Sequence, residues 1–268
     1  GLWDGKYLYD LYDEAHTPWE WHEELFKKAN TLGLHIFSSP FDHTAVDFLE
    51  DLNVPAYKIA SFELLDLPLV EYVASKKKPM ILSTGLANFD EIKLAFNTAR
   101  DNGCKDIIIL HCISSYPAPN KDSNLLTMCD IKKKLNVLTG LSDHTLGTTT
   151  SVAAVALGAS VIEKHFTLSR LDGGVDSEFS LEPKEFANLV SECKNAWISL
   201  GKVNYNLKGS EKSNIKFRRS LYAVQKINKG EKFSEENIRS IRPGFGIEPK
   251  YLNQIIGSYA SKKINHGD

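Results

Sequence analysis

Gly140-Leu141-Ser142-Asp143-His144-Thr145 and, one unit later, Ser160-Val161-Ile162-Glu163-Lys164-His165-Phe166 decide the reading of this chain. Each is an apolar run that stops at a polar tip carrying a histidine. Between them lies a stretch of small residues, Thr148 to Ala159, with the composition of a tightly packed helix. Strand, crossover helix and parallel strand give that pattern. His144 and His165 are 21 residues apart, about one such unit. Right-handed crossover connections then put both imidazoles at the carboxyl ends of neighbouring parallel strands. Two neutral imidazoles converging there suit a divalent transition metal; satisfied histidines at two strand ends are the plainer alternative.

The rest of the chain bounds what such a site serves. Its 268 residues are 42% hydrophobic and 25% charged, with net charge −2. That length accommodates one large α/β domain and a small appendage. The charge balance gives no case for nucleic acid or an acidic membrane as partner. No run of 18 apolar residues marks a transmembrane helix, and the amino terminus lacks the pattern of a signal peptide. Cys104, Cys112, Cys129 and Cys193 show no Cys-x-x-Cys spacing, which predicts reduced thiols in a cytoplasmic protein.

Apolar runs at His35–Ser38, Ala56–Ala60, Met80–Ser83, Ile107–Cys112, Val137–Leu141 and Val161–His165 alternate with helical periodicity. Thr17-Pro18, followed by Glu20, predicts a capped helix start ahead of the first of them. Six such βα units argue for a parallel sheet covered by helices. No Gly-x-Gly-x-x-Gly follows any strand, which weakens a dinucleotide-binding open sheet. Polar residues end nearly every strand, as in a (β/α)₈ barrel. Six strands do not make eight, so two are expected ahead of Gly1, and the chain reads as a fragment. The expected organisation is an incomplete barrel over 1–200, a polar linker over 201–217 and a small β-rich domain over 218–268, with a turn at Lys229-Gly230, a short helix near Ser234–Ile238 and a loop at Pro243-Gly244-Phe245-Gly246.

Lys58 lies inside an apolar strand, where an unpaired cation is costly to bury. Pointing into a barrel mouth, it calls for a phosphate or carboxylate. Ser39, Ser61 and Ser142 recur at equivalent depth, and hydroxyls so placed donate to phosphate oxygens or cap helices. Glu63, His111, Tyr116, Asp143 and Asp176 add acid, base and hydrogen-bonding capacity. Cation, hydroxyls and metal ligands together indicate a small phosphorylated substrate and metal-assisted carbonyl or enol chemistry.

Tyr57-Lys58-Ile59-Ala60-Ser61-Phe62-Glu63, Ser38-Ser39-Pro40-Phe41-Asp42, Leu82-Ser83-Thr84-Gly85 and the two histidine motifs resemble the sialic acid synthase family. The resemblance covers essentially the whole chain. It implies a (β/α)₈ barrel joined to a carboxyl-terminal antifreeze-like (SAF) domain, and condensation of phosphoenolpyruvate with a six-carbon amino sugar. It makes His144 and His165 ligands of a divalent metal, manganese first, with magnesium or cobalt as alternatives. Lys58, Ser39, Ser61 and Ser142 match phosphoenolpyruvate contacts; Glu63, Tyr116 and Asp176 match positions that hold the acceptor sugar, Glu63 with a catalytic role. Ser114 stands where the neuraminate branch has an Asn in contact with phosphoenolpyruvate. Arg242 matches an arginine lent to a partner subunit, which implies a domain-swapped homodimer. The opening Gly1-Leu2-Trp3-Asp4 and Thr17-Pro18-Trp19-Glu20-Trp21-His22 resemble a branch whose acceptors carry a 4-acetamido group and a 6-deoxy carbon. Family members have two further strands before Gly1 and continue past Asp268. Two other readings compete: a metal-dependent aldolase or isomerase with Lys58 as Schiff-base nucleophile, and a non-enzymatic sugar-binding module.

Overall fold

The computed structural model describes residue 5 and residues 7–268, so the opening Gly1–Asp4 motif lies outside the described residues. The chain forms two compact units, Gly1–Gly201 and Lys202–Asp268. In the first, α1 (Leu8–Ala15), α2 (His22–Thr31) and α3 (His43–Asp51) precede β1 (Tyr57–Ile59). Helix and strand then alternate through α4 (Leu67–Ser75), β2 (Met80–Ser83), α5 (Phe89–Asp101), β3 (Ile107–Cys112), α6 (Leu126–Leu135), β4 (Leu138–Asp143), α7 (Thr149–Ala156), β5 (Ile162–Lys164) and α8 (Pro183–Leu200). The five strands stand side by side in chain order, every pair parallel. They form a curled sheet, part of the wall of a (β/α)₈ barrel.

Local sequence explains the elements. Asn88 and Glu91 close a capping box at the start of α5, and Ile92, Ala95, Phe96 and Ala99 give that helix one buried stripe. Asp66 caps α4 by accepting from Leu69 N–H at 3.2 Å. The register carries Ile59, Leu82 and Ile109 onto the helix-covered face, where they join the core with Tyr57, Met80 and Ile107. The opposite face carries Lys58, Ser83, Leu110, Gly140, Cys112, Ser142 and Glu163. This period of two decides which polar residues meet at the mouth of the sheet. Gly140 is required on that face. A Cβ there would lie 2.2 Å from the Val161 carbonyl oxygen, on the chain leading into β5. Gly140→Ala is expected to cost on the order of 1–3 kcal/mol of stability, read as a lowered thermal midpoint.

Two expectations are corrected. His35–Ser38 forms no strand; it meets β1 through one long bond, Lys58 N–H to Ser38 O at 3.3 Å. Pro40 lacks an N–H and restricts Ser39, so pairing does not propagate. Thr17 does not cap a helix. A 3₁₀ turn at Trp19–Trp21 comes first and α2 starts at His22. Aromatic docking outweighs capping there: Trp19 stacks on Phe48 at 4.6 Å, and buried His22 packs edge-on to the same ring.

The second unit pairs β6 (Ser220–Ala223) antiparallel with β7 (Ile238–Ile241). Leu221, Ala223, Ile227, Ile238 and Ala260 form its core, with Leu252 and Ile255 of α9 (Leu252–Ile255) packed on it. Residues 209–217 run as 3₁₀ turns. The helix expected near Ser234–Ile238 is a single turn, closed by Ile238 N–H to Ser234 O at 3.0 Å, from which β7 begins. No helix among the described residues is long and apolar enough to cross a membrane.

Candidate active site

Ser39, Lys58, Ser61, Tyr116, Ser142, His144 and His165 line one cavity of ≈ 360 Å³ at the carboxyl ends of the strands, together with Ser83, Glu163 and Lys164. That volume suits a small polar substrate. Glu63, Ser114 and Asp176 adjoin residues of this group, whereas Arg242 belongs to the second unit, exposed after the end of β7.

Two buried lysines stand here in opposite states. Lys164 Nζ is fully buried and lies 2.9 Å from Asp143 Oδ2. Lys58, also buried, has its nearest carboxylate oxygen, Glu163 Oε2, at 3.6 Å and a backbone oxygen, Ile59 O, at 3.4 Å. Neither distance is that of a strong charge-assisted bond. Lys58 is therefore a buried cation whose partners leave room for another anion.

Hydroxyls ring that cation. Ser61 Oγ accepts from Gly85 N–H at 3.0 Å and lies 3.4 Å from Cys112 Sγ. Ser142 Oγ donates to Glu163 Oε1 at 2.7 Å. Ser83 Oγ is buried with no hydrogen-bond partner, a group that a ligand oxygen would satisfy. Ser114 stands behind them, against Gly85, where an added Cβ would come within 2.0 Å of Ser114 Oγ and 2.7 Å of Ser61 Oγ. Gly85→Ala is thus expected to displace both serines and raise the KM for an anionic substrate about tenfold, the loss of roughly one or two hydrogen bonds. An unchanged KM would mean that Ser61 is not a ligand contact.

Glu63 follows β1 on a short turn, with Oε2 buried and unpartnered. Burial holds its carboxyl above the usual range, with Lys58 pulling it back. The folded chain binds this proton more tightly than the unfolded chain. The stabilisation is therefore present in acid and lost as pH rises through the raised value. Glu63→Gln is expected to raise the thermal midpoint at about pH 7.5 and to lose that advantage toward about pH 4. Equal midpoints for variant and wild type at both pH values would contradict this.

The histidines meet as the sequence predicts. Their ring centroids are 5.2 Å apart. His144 Nδ1 lies 2.9 Å from the Ile113 carbonyl; a carbonyl only accepts, so Nδ1 carries the hydrogen and Nε2 keeps its lone pair. His165 Nδ1 faces Asp176 Oδ2 at 3.4 Å, a carboxylate–histidine arrangement of the kind that orients metal ligands. Burial lowers the proton affinity of His144, but Cys112, 3.8 Å away, with the Ile113 carbonyl and Glu163, raises it above the ordinary value. Burial likewise pushes the Cys112 thiol up, and His144, with Ser61 and Ser142, brings it below its ordinary value. The pair and its oriented free nitrogens fit a divalent metal, although no group of three or more His, Cys, Asp or Glu able to hold one occurs among the described residues. Tyr116 packs 4.3 Å from His144, and Phe179 4.9 Å from His165. Burial, with Cys112 and Asp176, pushes the Tyr116 phenol up to about 12, so it serves as a hydrogen-bonding wall.

A model of the NeuB family matches residues 1–205, and one of the SAF domain matches residues 218–268. The chain belongs to the NeuB family. It is 45% identical over 268 residues to a pseudaminic acid synthase of Campylobacter jejuni, covering 100% of this chain and 78% of that protein. It is 41% identical over 250 residues to an N,N'-diacetyllegionaminic acid synthase of the same species, covering 92% of this chain and 75% of that protein. Among solved structures, an N-acetylneuraminic acid synthetase of Leptospira borgpetersenii in complex with citrate superimposes with TM-score 0.72 and 34% identity, covering 78% of this chain and 73% of that one.

Within this NeuB-family site, Ser83 and Glu163 stand in motifs quoted above without a role of their own, Phe179 has no sequence signal, and two residues point elsewhere. His111 and Asp143 lie on the opposite face. His111 Nε2 donates to Ser123 O at 2.7 Å, and burial lowers its pKa. Asp143 pairs with Lys164. Strand parity was the available signal: His111 and Asp143 are each one residue out of step with Cys112 and Ser142.

Proposed function

We propose that this chain condenses phosphoenolpyruvate with 2,4-diacetamido-2,4,6-trideoxy-altrose, giving a nine-carbon 2-keto sugar acid and phosphate. The loosely paired, buried Lys58, ringed by Ser39, Ser61, Ser83 and Ser142 beside two oriented histidines, carries the reading. The higher identity to a pseudaminic acid synthase favours this acceptor over the legionaminate or N-acetylneuraminate precursors.

Lys58 and the serines hold the phosphate and carboxylate of phosphoenolpyruvate and stabilise charge as it develops. His144 and His165 would hold a divalent metal, manganese in our assignment with magnesium or cobalt as substitutes, which when bound would supply Lewis-acid polarisation of the open-chain aldehyde. C3 of the enol ester attacks that aldehyde carbon: the new C–C bond forms as the carbonyl π bond opens to an oxyanion that takes a proton to become a hydroxyl, and C2 is left electron-deficient. Water then adds at C2, and phosphate leaves with its bridging oxygen, so the C2 oxygen of the product comes from water. Glu63, held above the usual carboxylate range by burial, takes the proton of that water. Tyr116 and Asp176 hold the sugar, and Ser114 supports the phosphoenolpyruvate contacts through Ser61. Lys58 sits within ion-pair distance of Glu163, so borohydride trapping with a keto acid is expected to leave it unmodified, which separates this reaction from Schiff-base aldol chemistry. The four cysteines are free, consistent with a cytoplasmic enzyme, and no nucleic acid or membrane partner is part of the reading.

Phosphate release with a panel of sugars tests the assignment. The 2,4-diacetamido-6-deoxy acceptor is expected to exceed N-acetylmannosamine in kcat/KM; the reverse order moves the protein to the neuraminate branch.

Assembly belongs to the same proposal. Arg242 is exposed after β7, on a loop anchored by Gly244 N–H to Lys216 O at 3.0 Å, and we assign it to a partner subunit's site in a swapped homodimer. Mixing Arg242→Ala with His144→Ala chains should restore activity, because one hybrid site then holds both native residues. Mixtures that exchange subunits yet stay inactive would overturn the swap.

A further inference from the structure

Asp143 and Lys164 lie on the opposite strand parity from Ser142 and Glu163, with buried side chains; Lys164 also borders the cavity, but the reaction just described uses neither. They are register partners on β4 and β5. Asp143 immediately precedes His144, and Lys164 immediately precedes His165. Their side chains are 0% and 1% exposed, with Lys164 Nζ 2.9 Å from Asp143 Oδ2. Asp143 Oδ1 accepts from Thr145 N–H at 2.8 Å and from Thr145 Oγ1 at 2.7 Å, and Oδ2 accepts from Ser151 Oγ on α7 at 2.5 Å. Lys164 Nζ also donates to the Thr145 carbonyl. The residues on both sides of His144 are thereby tied to the residue before His165.

A buried ion pair contributes little net stability over an apolar pair of similar volume, because desolvation offsets the attraction. Its geometry is another matter. One carboxylate saturated by four donors and one ammonium shared between a carboxylate and a carbonyl leave few alternative arrangements. The small residues of α7 allow the approach: Ser151 is fully buried and reaches Asp143 directly. The unsatisfied alternative, a charge left alone in this interior, keeps the two strand ends from sliding apart.

We propose that Asp143 and Lys164 are positioning residues that set the spacing of His144 and His165 for the metal. The proposal rests on the reading of those histidines as metal ligands. Outer groups that orient ligands typically contribute about 10–100-fold to metal affinity.

The test is manganese affinity, measured from the free Mn²⁺ signal in electron paramagnetic resonance and set against the thermal midpoint. The double variant Asp143→Asn/Lys164→Met removes both charges and leaves neither unpaired. It is expected to fold and to bind Mn²⁺ about tenfold or more weakly, while Lys164→Arg, which keeps the cation, stays within about threefold of wild type. Leu69→Ala, a core change in α4, is expected to lower the midpoint with Mn²⁺ affinity unchanged, which separates positioning from general destabilisation. A folded double variant that binds Mn²⁺ as tightly as wild type overturns the proposal. Should the double variant not fold, Ser151→Ala removes one donor to Asp143 without burying a lone charge. Weaker Mn²⁺ binding there supports the proposal and unchanged binding overturns it. A wild-type protein that binds no Mn²⁺ defeats the ligand assignment itself, an outcome distinct from equal binding by wild type and variants.

Discussion

His144→Ala is expected to lower turnover by roughly three orders of magnitude or more, with the circular dichroism spectrum unchanged. The size follows from the role: Lewis-acid stabilisation of a developing alkoxide is worth several kcal/mol, and each ~1.4 kcal/mol is tenfold in rate. The fold is expected to survive, because the histidine side chain stands at the mouth, packed against Tyr116 and bonded to one backbone carbonyl. His165→Ala should behave alike. The effects of the two substitutions should not add, since losing either ligand already disables the pair. Steady-state turnover at saturating Mn²⁺ checks this, and full activity of the double variant after chelation would remove the metal from the account.

Lys58→Met is expected to produce the second large effect, on binding rather than on fold. Lys58 lines the cavity with the serines, and truncating one partner of an enclosed charge pair typically costs about 2–5 kcal/mol in ligand affinity. The KM for phosphoenolpyruvate should rise by roughly 100-fold or more. Thermal stability should change little or improve, since Lys58 is only loosely paired while Glu163 is partly exposed. Isothermal titration with phosphoenolpyruvate reads the first quantity and a melting curve the second. Unaltered affinity would mean that the anion sits elsewhere.

The sequence carried the alternation of strands and helices and the meeting of the two histidines, because both follow from connectivity: a polar tip after each apolar run, one unit apart, needs only a right-handed crossover. It also carried the cation and the serines, since a lysine amid Tyr57, Ile59 and Ala60 is conspicuous in any register. What escaped depends on side-chain parity and on distant packing. His111 and Asp143 end strands and so look like site residues in the sequence, yet their neighbours in the ladder turn them to the other face. Glu163 read as one charge in a Glu-Lys-His run; only pairing of β5 with β4 brings it to Ser142 and Lys58. Phe179 comes from a short turn after β5 with no periodic signal, and it meets His165 through tertiary packing alone. His35–Ser38 had a strand's composition, but pairing depends on neighbours that a local pattern does not specify.

The position of bond cleavage tests the central claim most directly. Phosphoenolpyruvate carrying ¹⁸O in the bridge between C2 and phosphorus is incubated with the protein, Mn²⁺ and the 2,4-diacetamido sugar, and the products are read by mass spectrometry. Condensation at this site places the label in inorganic phosphate and water oxygen at C2 of a nine-carbon acid, both only when the sugar is present. Label retained in pyruvate or in the keto acid, or phosphate released without the sugar, would contradict it.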